Sequence, residues 1–487
     1  MGPTPSLPGQ NPLGKWRCRI LILLASAVVI VGGYFGVKWS WGEWTARQAE
    51  ADLHVAIAEV AVAEPNGWLL EDLERQREKI PDGQNSALVV IKAAKLLPAN
   101  WSEPLPFDIL DSPPPCQLSP DHAKSLAPVL QTLEPALKVA RTLTRYPRGR
   151  YPPMLLEPDL QFSYVNTHAQ KIQDLARALA YDALYQADNG KCDAAWQSAM
   201  AVLHAARSIG DEPSLQSQIT RMSMRKGGIV ALERILGRGT VEESEMKRAR
   251  DFFAQETSLR LTCIGVRGER ASQHDFYSRL LSGQTKLDEV VRAHNGDFVD
   301  KDDAARLANI PGSHAYTLRA LTRILACADQ PPAERRKCLQ DWDVAIKDDK
   351  GRNRTPLLAS ILTPAVAKVY YFEEWNIASL PCAWIALAAE QFRLQEGRWP
   401  RDGLELAGGR MLPQPFVDPF DHKPIRIRHA PDGLVVYLVG SRGEYEGKAR
   451  DNLAQGSFEL GDHFEFRLWN PKHRAQPPIP RRRDDAP

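Results

Sequence analysis

Apolar positions along this chain recur mostly at intervals of three and four, the period of a helix that buries one face. Thr45–Ala63 and Trp68–Ile80 read as helices. Asn85–Leu97 continues the pattern, with Leu88, Ile91 and Lys95 spaced for one face. From Pro98 to Pro120 the period is lost and prolines recur, including Pro113-Pro114-Pro115. Proline fixes φ and removes a backbone donor, so this stretch predicts a loop or linker. Ser119-Pro120 then reads as an N-cap followed by proline at the first helical position.

The middle of the chain, about 120–375, is helical in pattern nearly throughout. His168–Ala187 carries Ile172, Leu175, Leu179 and Leu184 at helical spacing. Asn189-Gly190 breaks it, Cys192–Ile209 restarts it, and Gly210-Asp211 breaks it again before Leu215–Leu236. This rhythm resembles tetratricopeptide-like hairpins, with Gly190 at a turn and Ala194-Ala195 as small packing residues, but no repeated consensus accompanies it. Thr240 and Glu243 fit a capping box opening the next helix. Near Ser379 the texture changes. A helix through Ala383–Gln395 stops at Gly397, placed as a C-cap. Ile425–His429 and Leu434–Val439 read as strands joined through Pro431-Asp432-Gly433, with Phe458–Leu460 and Phe464–Leu468 as a further pair.

The longest uncharged run is Ile20–Val37. As a helix it spans about 27 Å, close to the ~30 Å of a bilayer's hydrocarbon core. Lys15, Trp16, Arg17 and Arg19 precede it, and Trp39, Trp41 and Trp44 follow. Tryptophan favours the membrane interface, and basic residues favour the cytoplasmic side. The pattern therefore predicts a single-pass anchor contacting the lipid bilayer through residues 20–37. The N-terminus is expected in the cytoplasm and the body in the periplasm of a bacterial inner membrane. A cleaved signal peptide fits less well, because the run is long and bulky residues fill its exit.

The expected architecture is mainly α: one transmembrane helix, an α-hairpin, solenoid-like body, and a small C-terminal α+β module with an antiparallel sheet. Residues 1–14 are expected to be a disordered tail, 15–44 the anchor with its flanks, and 45–97 a helical segment. A Pro-rich linker at 98–120 precedes the helical body at 121–375, the module at 376–470 and a disordered tail at 471–487. The 487 residues include 43 % hydrophobic and 25 % charged residues, enough for a buried core. The 62 basic and 60 acidic residues leave a net charge of +2, so no basic face points to nucleic acid.

Seven cysteines are present, none in a C-x-x-C pair, which removes zinc-ribbon and thioredoxin-type readings. Cys327 and Cys338 flank the turn signal Asp329-Gln330-Pro331-Pro332 and are the disulfide candidate across a helical hairpin; separate buried thiols are the alternative.

Catalytic signatures are sparse. H-E-x-x-H, G-x-S-x-G and the P-loop pattern are absent. Ser223-Met224-Arg225-Lys226 matches S-x-x-K by letters, without the S-D-N and K-T-G that a serine β-lactam-type enzyme needs. Gly265-Val266-Arg267-Gly268-Glu269-Arg270 places two glycines in a helix, each costing about 1 kcal/mol against alanine. A close helix crossing is one explanation. A hydrolase cluster of Glu269, His274 and Asp275 is the other, although these spacings do not share one clean helix face. The scattered histidines suggest no metal.

Ala383–Asn452 resembles the globular part of type II secretion pseudopilins. The resemblance rests on Phe392 through Gly397-Arg398-Trp399-Pro400, on Leu412-Pro413, on Asp418-Pro419-Phe420-Asp421-His422-Lys423-Pro424, and on Val439-Gly440-Ser441-Arg442-Gly443. It implies a helix, a turn, a hairpin and a closing loop. Major pseudopilins hold calcium in that loop, and here Glu444, Glu446, Asp451 and Asn452 are the candidate oxygen ligands. The processing site of the family is not matched, since Arg19 stands where its glutamate falls. The whole layout also resembles a group of bacterial single-pass membrane proteins, a likeness that brings no activity with it. The sequence thus favours a non-enzymatic envelope scaffold with a protein partner, a hydrolase or a calcium-stabilised module being the alternatives.

Overall fold

The computed structural model describes residues 12–106, 108–152, 167–287, 309–330, 332–351, 356, 358–359, 366–407, 416–418, 420–439 and 464–478. Local chemistry decides where its helices begin and end. The first, α1 (Pro12–Ala63), runs for 52 residues, about 78 Å at 1.5 Å per residue. Then come α2 (Leu70–Gln76) and α3 (Ser86–Ala94), the latter capped by Asn85, whose Oδ1 accepts from Ala87 N at 3.0 Å. Helix α4 (Pro120–Ala140) opens on Ser119, whose Oγ accepts from His122 N. The breaks at Gly190 and Gly210, both at positive φ, separate α5 (Thr167–Asp188), α6 (Cys192–Arg207) and α7 (Leu215–Leu236). These three pack on one another in sequence.

Helix α8 (Glu243–Glu256) does not use the expected capping box. Its N-cap is Glu242 without a side-chain cap; Asp193, from the start of α6, accepts from Glu242 N at 3.3 Å. A neighbouring helix, rather than Thr240, thus supplies a side-chain acceptor at this helix start. Next come α9 (Leu261–Leu281), α10 (Ile310–Ala328), α11 (Pro332–Gly351) and α12 (Val366–Glu396), which ends at Gly397 with φ +72°. A disulfide joins Cys327 to Cys338, with Cα atoms 5.5 Å apart, across the turn between α10 and α11. After the short α13 (Gly403–Ala407), β1 (Arg426–Ala430), β2 (Gly433–Tyr437) and β3 (Glu465–Trp469) form an antiparallel sheet in the order β1-β2-β3. Pro431-Asp432 closes the hairpin, with Ala430 opposite Gly433. The chain at Phe458–Leu460, expected as a strand, lies outside the described residues.

Among the described residues, no helix is long and apolar enough to cross a membrane. The expected single-pass transmembrane anchor at 15–44 is corrected on this finding, and so is the inner-membrane address with a periplasmic body. The physical difference lies in continuity. The helix does not end with the apolar run but continues into a stretch bearing Lys38, Glu43, Arg47, Glu50 and Asp52. Of Ile20–Val37 itself, only the helical backbone and the side chains of Tyr34 and Val37 are described.

The predicted module boundary at 376 also disappears. One core holds Trp196 and Leu203 of α6, Leu232 and Ile235 of α7, and Phe252 and Phe253 of α8. The same core holds Ile385 and Leu387 of α12 and Leu434, Val436, Phe466 and Leu468 of the sheet. Glu233 of α7 accepts from the backbone N of Arg467 in β3 at 2.6 Å. A second core joins α3–α6 with Ile109 and Leu118, so the proline-rich 98–120 stretch is packed rather than a free linker.

The expected disordered tail is corrected in the same way for 471–478. Arg474 is buried against Glu390 at 2.8 Å, Gln117 N donates to Gln476 O at 2.8 Å, and Gln476 N donates to Pro115 O at 2.7 Å. Arginine is rarely this deeply buried unless paired, and here Glu390 supplies the pair.

Candidate functional site

The two glycines of α9 are explained by packing. A Cβ on Gly268 would stand 1.8 Å from the carbonyl oxygen of Pro213, and one on Gly265 would stand 2.8 Å from Cα of Leu215. The chain entering α7 crosses α9 at those points. Arg267, between the glycines, and Arg270, just beyond them, face the end of α1. Arg267 Nη2 reaches Glu64 Oε2 at 2.7 Å, and Arg270 Nη2 reaches Glu64 Oε1 at 2.8 Å.

The three sequence candidates on α9 are not assembled into one acid/base cluster, because each is engaged by a different group. Glu269 accepts from Gln273 Nε2 at 3.0 Å, and burial pushes its pKa above the ordinary glutamate value. Asp275 pairs with Arg279 at 2.9 Å, one turn along the same helix. His274 Nδ1 lies 3.0 Å from Nε2 of His314 on α10. Trp68 meets His274 edge-on, and Tyr277 stacks on His314 with ring centres 4.9 Å apart.

Burial depresses the pKa of both histidines, and His274 adds to the effect on His314, which falls to about 3. At neutral pH this is a pair of uncharged rings, one donating an N–H to the lone pair of the other. Nδ1 of His314 is buried with no hydrogen-bond partner among the described residues. Among those residues, no group of three or more His, Cys, Asp or Glu is placed to hold a metal ion. The calcium candidates Glu444, Glu446, Asp451 and Asn452 lie outside the described residues.

Several other buried charges are committed to ion pairs. Glu256 of α8 meets Arg207 at 2.8 Å, Arg221 at 2.9 Å and Arg225 at 2.5 Å. Burial alone would push its pKa up, but the three guanidiniums hold it far below the usual carboxylate range. Desolvation brings Arg225 down to about 10, and burial beside Arg207 brings His204 down to about 4. Asp418, in the turn before β1, is fully buried and accepts from Phe420 N, Val439 N and Arg426 Nη1. These contacts stiffen the turn and consume the carboxylate.

Several exposed apolar side chains lie on α1. Leu53, Ala56 and Val60 of that helix are buried against Ala315 and Leu318 of α10. On the opposite face Val37, Trp41, Trp44, Gln48, Ala51, Val55, Ala58 and Val62 are all exposed. Their spacing alternates four and three, which is the a/d spacing of a heptad repeat. Among the larger apolar members, exposure runs from 53 % at Val55 to 83 % at Val62. The sequence reading of Thr45–Ala63 as a helix missed this second stripe. The available signal was the seven-residue repeat, which starts well before Thr45 and so crosses the boundary assigned to the anchor. His314 was missed for a different reason: 40 residues separate it from His274, and no local pattern links them. Comparison of the chain with protein-family models, with curated proteins and with solved structures finds no match.

Proposed function

We propose that this chain is a protein-interaction scaffold that presents α1 as its docking element. The observation that carries the reading is the exposed a/d stripe, sustained over more than three heptads on a helix whose other face is anchored to the body at Leu53, Ala56 and Val60. Apolar surface arranged in such a stripe gains stability when a second helix covers it. The likeness of residues 383–452 to a pseudopilin module points the same way, since proteins of that family work in assemblies. The His274–His314 pair serves the scaffold as a packed joint between α9 and α10.

Site-specific photocrosslinking in the producing cell tests the reading. A benzophenone amino acid is placed at Trp44 or Val55, on the stripe, or at Ala46, exposed on another face. Protein adducts from the first two positions and none from Ala46 are the expected result. No protein adduct from either stripe position, or equal adducts at all three, would overturn it.

A further inference from the structure

We infer that the occupant of the α1 stripe is a second copy of this chain, aligned parallel and in register. The inference rests on the scaffold reading and names its partner. The argument starts from the positions flanking the stripe. With Trp41, Gln48, Val55 and Val62 at a and Val37, Trp44, Ala51 and Ala58 at d, the g positions include Arg47 and His54, and the e positions include Asp52 and Glu59. In a parallel two-stranded coiled coil, each g residue faces the e residue five positions later in the partner. Arg47 then faces the partner's Asp52 and His54 faces the partner's Glu59, each pairing occurring twice by symmetry. Antiparallel alignment sets Arg47 against His54 instead, and leaves Lys38 opposite Glu59 as its main attractive pair.

The body favours the same arrangement. Arg319 of α10 holds both e-position carboxylates, with Nη1 2.8 Å from Asp52 and Nε 2.8 Å from Glu59. One guanidinium shared by two carboxylates leaves net negative charge there, half-exposed and fixed in place, ready for the partner's Arg47. Arg47 is itself well exposed and, among the described residues, pairs with Glu43 of its own helix at 3.1 Å. Gln48 is the single polar residue among the four a positions named. A polar residue at one a position fixes register and favours two strands, because any other alignment buries it against apolar neighbours. Since α10 covers the opposite face of α1, two such helices can meet without the bodies intervening.

Sedimentation of the purified full-length chain, over a range of concentrations, is the first measurement. A species of twice the 54.4 kDa chain mass is expected. The double substitution Val55→Glu/Val62→Glu should convert it to a monomer with an unchanged far-ultraviolet circular dichroism spectrum, both sites being exposed. Orientation is read by cysteine crosslinking. Ala58→Cys should form a disulfide with its own copy when diamide is added as oxidant, the unsubstituted chain serving as control. In antiparallel pairing Ala58 lies about 25 Å from its counterpart along the axis, and Ala58→Cys would instead link to Trp41→Cys in a mixed sample. That last result overturns the parallel arrangement. A chain monomeric at every concentration, or a dimer indifferent to the double substitution, overturns the second copy altogether. If the monomer floats with phosphatidylcholine vesicles and the double substitution abolishes flotation, the stripe belongs to a lipid surface, which also overturns the inference. Photocrosslinked adducts of a mass other than two chains would leave the scaffold reading standing while removing this one.

Discussion

Glu256 shows how much a single residue carries here. Three arginines from α6 and α7 converge on it, and none of them has another carboxylate within ion-pair distance among the described residues. Replacing it by glutamine leaves three buried guanidiniums uncompensated and is expected to cost about 3–5 kcal/mol, measured by urea unfolding. The buried histidines give the molecule a pH dependence of definite sign. His204, His274 and His314 all have folded pKa values below that of a free imidazole, so below about pH 6.5 the unfolded chain binds more protons than the folded one. Stability therefore falls as pH drops, and His314 goes on contributing to the fall down to about pH 3. Glu256 adds a loss of the same sign once pH falls below about 4.5, because its folded pKa is depressed. Substituting His314→Gln keeps a hydrogen-bonding group beside His274. It should reduce the slope of unfolding free energy between pH 4 and 6 by about 1.4 kcal/mol per pH unit; an unchanged slope would show that His314 does not titrate on unfolding. At this scale the sequence was informative about backbone and uninformative about partners. The cost of Gly265 and Gly268 could be read from their place in a helical pattern. The pairing of His274 with His314, or of Glu256 with three arginines, depends on which helices become neighbours.

Helix crossings and turns are the next level, and the glycines of α9 allow a paired test. Gly268→Ala forces a methyl against the Pro213 carbonyl and should destabilise by about 1–3 kcal/mol. Gly227→Ala, in α7, meets nothing within 4 Å and should instead stabilise by up to about 1 kcal/mol through helix propensity. Thermal melts that moved in the same direction for both would contradict the crossing as the reason for the glycines. The turn between α10 and α11 is held covalently, and Cys327→Ser should lower unfolding free energy by about 2–3 kcal/mol, given the short loop that the bridge closes. Non-reducing and reducing unfolding curves of the unsubstituted chain should differ by a similar amount. Helix ends with glycine or serine signals were legible: Ser119, Gly190, Gly210 and Gly397 stand where the elements stop or start. The start of α8 was not, because its acceptor comes from α6 instead of from its own first turn. The α1 stripe escaped notice because a reading by segments divided one 52-residue helix into an anchor and a separate helix.

For the whole molecule, the texture change near Ser379 is real at the level of elements and misleading at the level of domains. The strands are where the alternation and the Pro431-Asp432-Gly433 turn place them, within a residue or two. Yet a boundary does not follow, because α12 packs on α7 and α8 as well as on the sheet. Local patterns report which residues want burial and are silent about which surface buries them. The last described residues add a topological point. Where Gln476 meets Pro115 and Gln117, the chain is drawn into a ring of roughly 360 residues, and closing a ring costs entropy that grows only with the logarithm of its size. What keeps the clasp shut is the Arg474–Glu390 pair and a few backbone hydrogen bonds at the end of the chain's described part, so it should fasten after the body has formed and come loose before the body melts. Amide protons of Ala475 and Gln476 should accordingly exchange with deuterium well ahead of those of Val435 and Val436, buried at the centre of the sheet. The clasp would behave as a latch, a part whose opening leaves the rest of the machine intact.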